Sequence, residues 1–287
     1  MLKVAAPVAD APGSPSRACL RIGAVNYLNT KPLIYELDQL APDADVILDL
    51  PSRLADQLAL GELDVALIPV VEYLRAGRYA LIPDIAIASR GPVLSVTLFS
   101  KKPWPEISSI ALDEGSRTSA ALVQVLSRFR YEVTPRLEAL SVDADPERVA
   151  TDAVLLIGDR AMHACLPGFP HAYDLGEEWT KWTDLPFVFA VWAVRPGIEP
   201  GGLVESLQEA KRRGLANAAS IAAAEGPRLG LGPGFCRRYL DTVLSYDLGP
   251  RELAGLKRFA NMASQLGLIP KEISVDECGR AHISEGR

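Results

Sequence analysis

The chain has 287 residues, 48% of them hydrophobic and 23% charged, which predicts two domains or one large one and excludes a mainly disordered or fibrous protein. Thirty Lys and Arg against 36 Asp and Glu leave a formal net charge of −6 that is scattered rather than blocked, so there is no electrostatic footprint for nucleic acid or an anionic membrane. The longest apolar runs, 153–157 and 185–194, fall well short of the roughly 18 residues a membrane span requires, and a soluble chain is expected.

Residues 1–18 are mostly Ala, Pro, Ser and Val, with Pro7 and Asp10 breaking the one mildly apolar stretch. No signal-peptide core of about 7 to 15 apolar residues can be drawn there, so the segment reads as a disordered leader and not as an export signal. From Cys19 the pattern becomes strand, turn, helix. A first strand is expected over 19–25, a loop over 26–30, and Pro32 stands where a first helical turn tolerates it. A second strand follows at 46–50, then a helix over 52–60 with Leu54 and Leu58 four apart and Gly61 just past its end. Strands at 64–68, stopped by Pro69, and at 93–100 complete this part. The alternation indicates an α/β chain with largely parallel pairing.

A second, similar unit begins after Pro105. It has a strand at 107–112, an amphipathic helix at 116–129, a buried strand at 153–157 and a longer strand at 185–194. Three helices rich in Ala, Leu, Lys and Arg are expected at 202–224, 234–246 and 250–266. The organisation is therefore discontinuous: a large lobe of 19–99 plus 190–287, and a small lobe of 100–189 between them. The chain is expected to cross near 98–101 and again near 187–190.

The sharpest local signal is Asp113-Glu-Gly-Ser-Arg-Thr-Ser119, running from a strand into the helix. A helix start leaves N–H groups unpaired and carries partial positive charge, so Ser116, Thr118 and Ser119 with Arg117 would cradle a carboxylate or phosphate. The same residues also read as a Ser N-cap beside an exposed Arg. Asn29 sits just past the first strand, where ligands gather in open α/β sheets, and it offers both a donor and an acceptor; a turn or cap before Pro32 is the alternative. Glu72 follows the third strand as a possible opposing wall or a solvated helix residue. Ser95 lies at the candidate crossover, where it reaches a cleft or simply sits on a strand. Asp159 ends a buried strand, to bond a substrate hydroxyl or to cap the helix after it. Trp182 or Phe187, from an aromatic cluster, would line the cleft or belong to the core.

Four scattered cysteines without a CxxC pair fit neither a zinc site nor a compact disulfide framework. Three histidines, with no HExxH, GxSxG or P-loop motif, give no support to metal or triad hydrolysis or to nucleotide phosphate binding.

Taken together, Arg21-Ile-Gly-Ala-Val-Asn-Tyr-Leu-Asn-Thr-Lys-Pro-Leu33, Gly61-Glu-Leu-Asp-Val-Ala-Leu-Ile-Pro69, Gly91-Pro-Val-Leu-Ser-Val96, Ser116-Arg-Thr-Ser119, Ile157-Gly-Asp159 and the run from Trp182 to Trp192 resemble the chorismate dehydratases of the futalosine route to menaquinone. The resemblance implies a type II periplasmic-binding-protein-like fold, two α/β lobes with a ligand cleft between them. It also implies a carbon–oxygen lyase that converts chorismate to 3-[(1-carboxyvinyl)oxy]benzoate with no metal or organic cofactor, acting in the cytoplasm. Asn29 or Asp159 would orient the leaving hydroxyl. The proton acceptor is expected to be the substrate's own enolpyruvyl carboxylate, with Glu72 or Asp159 as the protein alternatives. Two other functions fit the same pattern: a cleft-type binding protein for a small carboxylate, and the sister dihydroxynaphthoate synthase. The synthase has a Ser-Pro-Cys-Pro-Asn-Asp type loop where this chain has Asn26-Tyr-Leu-Asn-Thr30.

Overall fold

The computed structural model describes residues 19–271, 273–275 and 281–283. The expected leader over 1–18 lies outside the described residues, as does Cys278.

The chain opens with β1 (Leu20–Val25), a 3-10 turn (Leu28–Ile34), α1 (Leu37–Leu40), β2 (Ala44–Asp49), α2 (Pro51–Leu60), β3 (Val65–Pro69), α3 (Val70–Ala76) and β4 (Ala80–Ser89). It continues through β5 (Val96–Ser100), β6 (Ser109–Asp113), α4 (Arg117–Phe129), β7 (Arg136–Leu140), β8 (Ala153–Ile157), α5 (Gly158–His163), β9 (His171–Asp174), α6 (Leu175–Thr183) and β10 (Phe187–Val194). The last part holds α7 (Leu203–Ala216), α8 (Ala218–Arg228), α9 (Pro233–Arg238), a π-turn (Tyr239–Val243), β11 (Leu244–Ser245) and α10 (Pro250–Gln265).

Local chemistry sets several of these boundaries. Pro51 opens α2, where its missing N–H has no intrahelical partner to lose, and Gly61 closes it in the left-handed region at φ 76°. Asp174 caps α6 by accepting the Glu177 N–H at 3.0 Å. The helix expected over 202–224 is two helices, α7 and α8, meeting at Asn217.

Two sheets carry the fold, one in the order β11-β4-β10-β3-β1-β2 and one in the order β7-β6-β8-β5-β9. Pairing is parallel only around β1 and β6. Strand β10 runs antiparallel between β3 and β4, and β5 runs antiparallel to both β8 and β9. The sheets are therefore mixed, not largely parallel as the strand–helix alternation suggests. β10 comes back from the other lobe in the opposite direction and wedges between two strands that are neighbours in sequence.

The chain leaves the first sheet after Ser89 and rejoins it at Phe187. Val96–Ser100, expected to finish the large lobe, pairs instead in the second sheet. Residues 187–189, expected in the small lobe, belong to the first. Both β5 and β10 are buried along their whole length, so their apolar runs carry no mark of which sheet they enter. Among the described residues, no helix is long and apolar enough to cross a membrane.

Candidate active site

The carboxyl ends of β1, β3, β6 and β8 face a cleft between the two sheets. Strand-to-helix loops at such ends leave backbone N–H groups available to a ligand. Tyr27 and Asn29 come from the loop after β1, and Ser95 from the crossover between lobes. Gly115, Ser116, Thr118 and Ser119 form the start of α4, while Gly158 follows β8 and Phe189 lies on β10. Val25, Ile87, Val93 and Ile157 add apolar walls, and among the described residues none that lines the cleft carries a formal charge.

The start of α4 is built as the sequence suggests. Ser116 is its N-cap, the Oγ accepting the Ser119 N–H at 3.4 Å. Thr118 Oγ1 accepts the Val71 N–H at 3.3 Å and so ties α4 to α3 across the lobes. Each of these hydroxyls accepts a bond and keeps its own hydrogen to donate. Arg117 does not join them. Its guanidinium makes a two-pronged pair with Asp56, both bonds 2.8 Å, and stands 3.7 Å from Glu72. Arg117 therefore fastens the two lobes, and what this turn presents to the cleft is hydroxyls and N–H groups alone.

On the facing wall, the Thr30 hydroxyl donates to Asn29 Oδ1 at 3.3 Å, which leaves the Asn29 amide hydrogens to other partners. Ser95 is buried, and its Oγ lies 2.9 Å from the Tyr239 hydroxyl. Tyr27 lies between the lobes, its phenol 3.8 Å from a Cβ built on Gly115 and its ring 3.2 Å from one built on Gly158. Burial first, then the neighbouring Asp113 and Asp159 carboxylates, push the Tyr27 hydroxyl up to about 12, so it stays a proton donor at neutral pH.

The two proposed protein bases differ. Glu72 is outside the lining and is held by Arg75 at 2.5 Å, with Arg117 on its other side. Asp159 opens α5 just behind Gly158 and has one buried carboxylate oxygen, Oδ1, with no hydrogen-bond partner. Burial raises its pKa, against the opposing charges of His163 and Lys31. Phe187 is 1% exposed and packs on Trp179 and Phe259 at ring-centroid distances of 5.3 and 5.1 Å. It is a core residue, and the cleft is faced by Phe189, which sits at a register shift between β10 and β4. Sequence reasoning missed Tyr27, although it lies in the Asn26-Tyr-Leu-Asn29 motif, and missed Phe189 and Tyr239. Among the described residues, no group of three or more His, Cys, Asp or Glu is placed to hold a metal ion.

A family model described as menaquinone biosynthesis matches residues 20–265. The chain belongs to the menaquinone biosynthesis family. Two relatives of this menaquinone biosynthesis chain carry the name chorismate dehydratase. The one from Thermus thermophilus is 36% identical, covering 83% of this chain and 93% of its own length. That of Campylobacter jejuni is 27% identical, covering 86% of this chain and 98% of its own length.

Solved structures share the fold. A protein of Archaeoglobus fulgidus superposes with a TM-score of 0.71 at 18% identity, covering 88% of this chain and all of its own. The periplasmic aliphatic sulphonate binding protein SsuA of Escherichia coli gives 0.62 at 15% identity, with 95% of each chain covered. The alkanesulfonate-binding protein SsuA of Xanthomonas axonopodis gives 0.64 at 15% identity, covering 93% and 98%. The chain thus has the two-lobed fold of periplasmic binding proteins. All cleft-lining residues, and Tyr239 behind them, fall inside the matched family region.

Proposed function

We propose that this chain is a carbon–oxygen lyase that removes water from chorismate, giving 3-[(1-carboxyvinyl)oxy]benzoate for menaquinone synthesis. The observation that carries the reading is the pairing of an uncharged helix-start cradle with a second polar wall across an apolar cleft. The relatives named chorismate dehydratase supply the substrate class. The proposal assigns the protein to the cytoplasm, where chorismate is formed.

Chorismate is a dianion. Its ring carboxylate is held at the start of α4 by the Ser116, Thr118 and Ser119 hydroxyls and the N–H groups of that turn. The proton lost from ring carbon 3 is vinylogous to this carboxylate, so the developing negative charge spreads toward it. Donors fixed in place there stabilise that charge more than the ground state. The 4-hydroxyl then leaves with the proton that was taken from ring carbon 3, so that water departs, the proton acceptor is regenerated and the ring becomes aromatic. Asn29 and Ser95 orient the departing oxygen.

Among the described residues, no carboxylate, imidazole or amine lines the cleft, and Glu72 is engaged by two arginines. The substrate's enolpyruvyl carboxylate, held close to ring carbon 3, takes the proton. Incubating the purified chain with chorismate and following absorbance for a benzoate product tests the proposal. Growth of that product supports it. Tight binding with chorismate left intact would make the cleft a carboxylate-binding site instead.

A further inference from the structure

We propose that Tyr239 is a positioning residue for the cleft, holding the Ser95 hydroxyl so that its hydrogen points to the ligand. The proposal rests on the chorismate reading for the identity of that ligand.

Tyr239 lies 144 positions from Ser95 in sequence, yet their hydroxyls are 2.9 Å apart and both residues are buried, at 1% and 2% exposure. With the phenol donating to Oγ, the serine hydrogen is turned away from Tyr239. Ser95 lines the cleft, so the open direction is toward ligand. The Asn29 side chain neighbours the same phenol. One hydroxyl therefore stands behind two of the polar groups that face the substrate.

The backbone is shaped to deliver this phenol. Helix α9 gives way to the π-turn at Tyr239, where the Leu244 N–H reaches back to the Tyr239 carbonyl. Such turns shift the phase of the residues after them and recur at functional sites. Leu244 then pairs with Ser89, the last residue of β4 before the crossover that bears Ser95. The same short segment thus fixes the start of that crossover through its backbone and Ser95 through a side chain. Burial keeps the phenol protonated, with its pKa pushed well above the ordinary tyrosine value.

The test is Tyr239→Phe, which keeps the ring stacked on Phe235 and removes only the hydroxyl. Turnover of chorismate should fall about tenfold in kcat, with KM within about twofold of the wild type. In a Ser95→Ala background the same substitution should cost clearly less, the remainder being its contact with Asn29. An unchanged kcat, or equal losses in both backgrounds, would overturn the proposal. If the phenylalanine variant does not fold, Ser95→Ala alone carries the test: kcat should fall about tenfold, and an unchanged kcat would overturn the proposal.

A wild type that leaves chorismate untouched would remove the functional reading alone. The crystal structure of Tyr239→Phe then decides: Ser95 in more than one rotamer supports the positioning role, and a single unchanged rotamer refutes it.

Discussion

Leu94 holds a left-handed backbone at φ 62°, and its N–H is donated to the Asp174 carboxylate at 2.7 Å. That conformation costs a side-chain-bearing residue roughly 1–2 kcal/mol, and it is imposed one residue before Ser95. Strain of this kind persists only where the surroundings over-determine it. The same carboxylate also accepts the N–H groups of Val93 and Glu177, so one acidic side chain sets the crossover and caps α6.

Asp174→Ala strips an acceptor from all three groups. Leaving buried donors unpaired costs about 1–3 kcal/mol each, part of it recovered by water. The expected loss is about 3 kcal/mol in urea unfolding, with a fall in kcat as Ser95 loses its fixed backbone. A variant as stable as the wild type would remove Asp174 from this role.

Gly158 is the second backbone constraint. It has φ 59°, and a Cβ there would lie 3.2 Å from the Tyr27 ring. Gly158→Ala should lower stability by about 1–2 kcal/mol and displace Tyr27, reducing kcat/KM. Gly168→Ala is the control, because nothing lies within 4 Å of its Cβ position and no positive φ is required. Equal melting temperatures for the two variants would show that Tyr27 yields freely.

Asp159 ties stability to pH. Burial raises its carboxyl above the ordinary aspartate value. Between those two values the folded chain keeps a proton that the unfolded chain has lost. Stability contributed by this group is therefore full below the unfolded value and falls as pH rises through the folded one. Asp159→Asn should gain on the wild type between about pH 4 and neutrality. It should also retain chorismate turnover, since the substrate supplies the base. Melting curves at both pH values check the first expectation, and a variant that folds but is inactive would make Asp159 the base.

The Arg117 pair and the α4 cradle should separate cleanly. Asp56 is 56% exposed on its side of the pair, and pairs of this kind contribute about 0–1 kcal/mol. Arg117→Ala should change stability by less than about 1 kcal/mol and act mainly on KM, with the effect fading in high salt. Replacing Ser116 and Thr118 together by Ala removes hydroxyl bonds to a charged group, and should cost roughly ten- to hundredfold in kcat/KM per bond lost. Titrations of rate against chorismate at low and high salt distinguish the two patterns.

Where the sequence is legible, a single local rule decides the structure. The Ser116 cap, the Gly61 terminus and the buried runs of β3 and β8 are such cases. Strand β4 escapes the same reading because Pro83 and Asp84 look like a turn, whereas the sheet absorbs them at a shift in register, with Asp84 at φ 61°. Phe187 and Phe189 have the same parity on one strand, and only the irregular pairing at Val188 to Ala190 separates core from cleft. The Tyr239 contact spans 144 positions, and no local pattern reports an approach of that range. Arg117 matches its motif, but tertiary pairing with Asp56 decides where it points.

The most direct measurement is a proton NMR time course of chorismate with the purified chain. The account predicts conversion to a meta-substituted benzoate that keeps its enolpyruvyl group, with the cyclohexadiene signals lost in step. Release of pyruvate would mean that the other carbon–oxygen bond is cut, and unchanged chorismate spectra would mean that the cleft performs no dehydration; either result contradicts it.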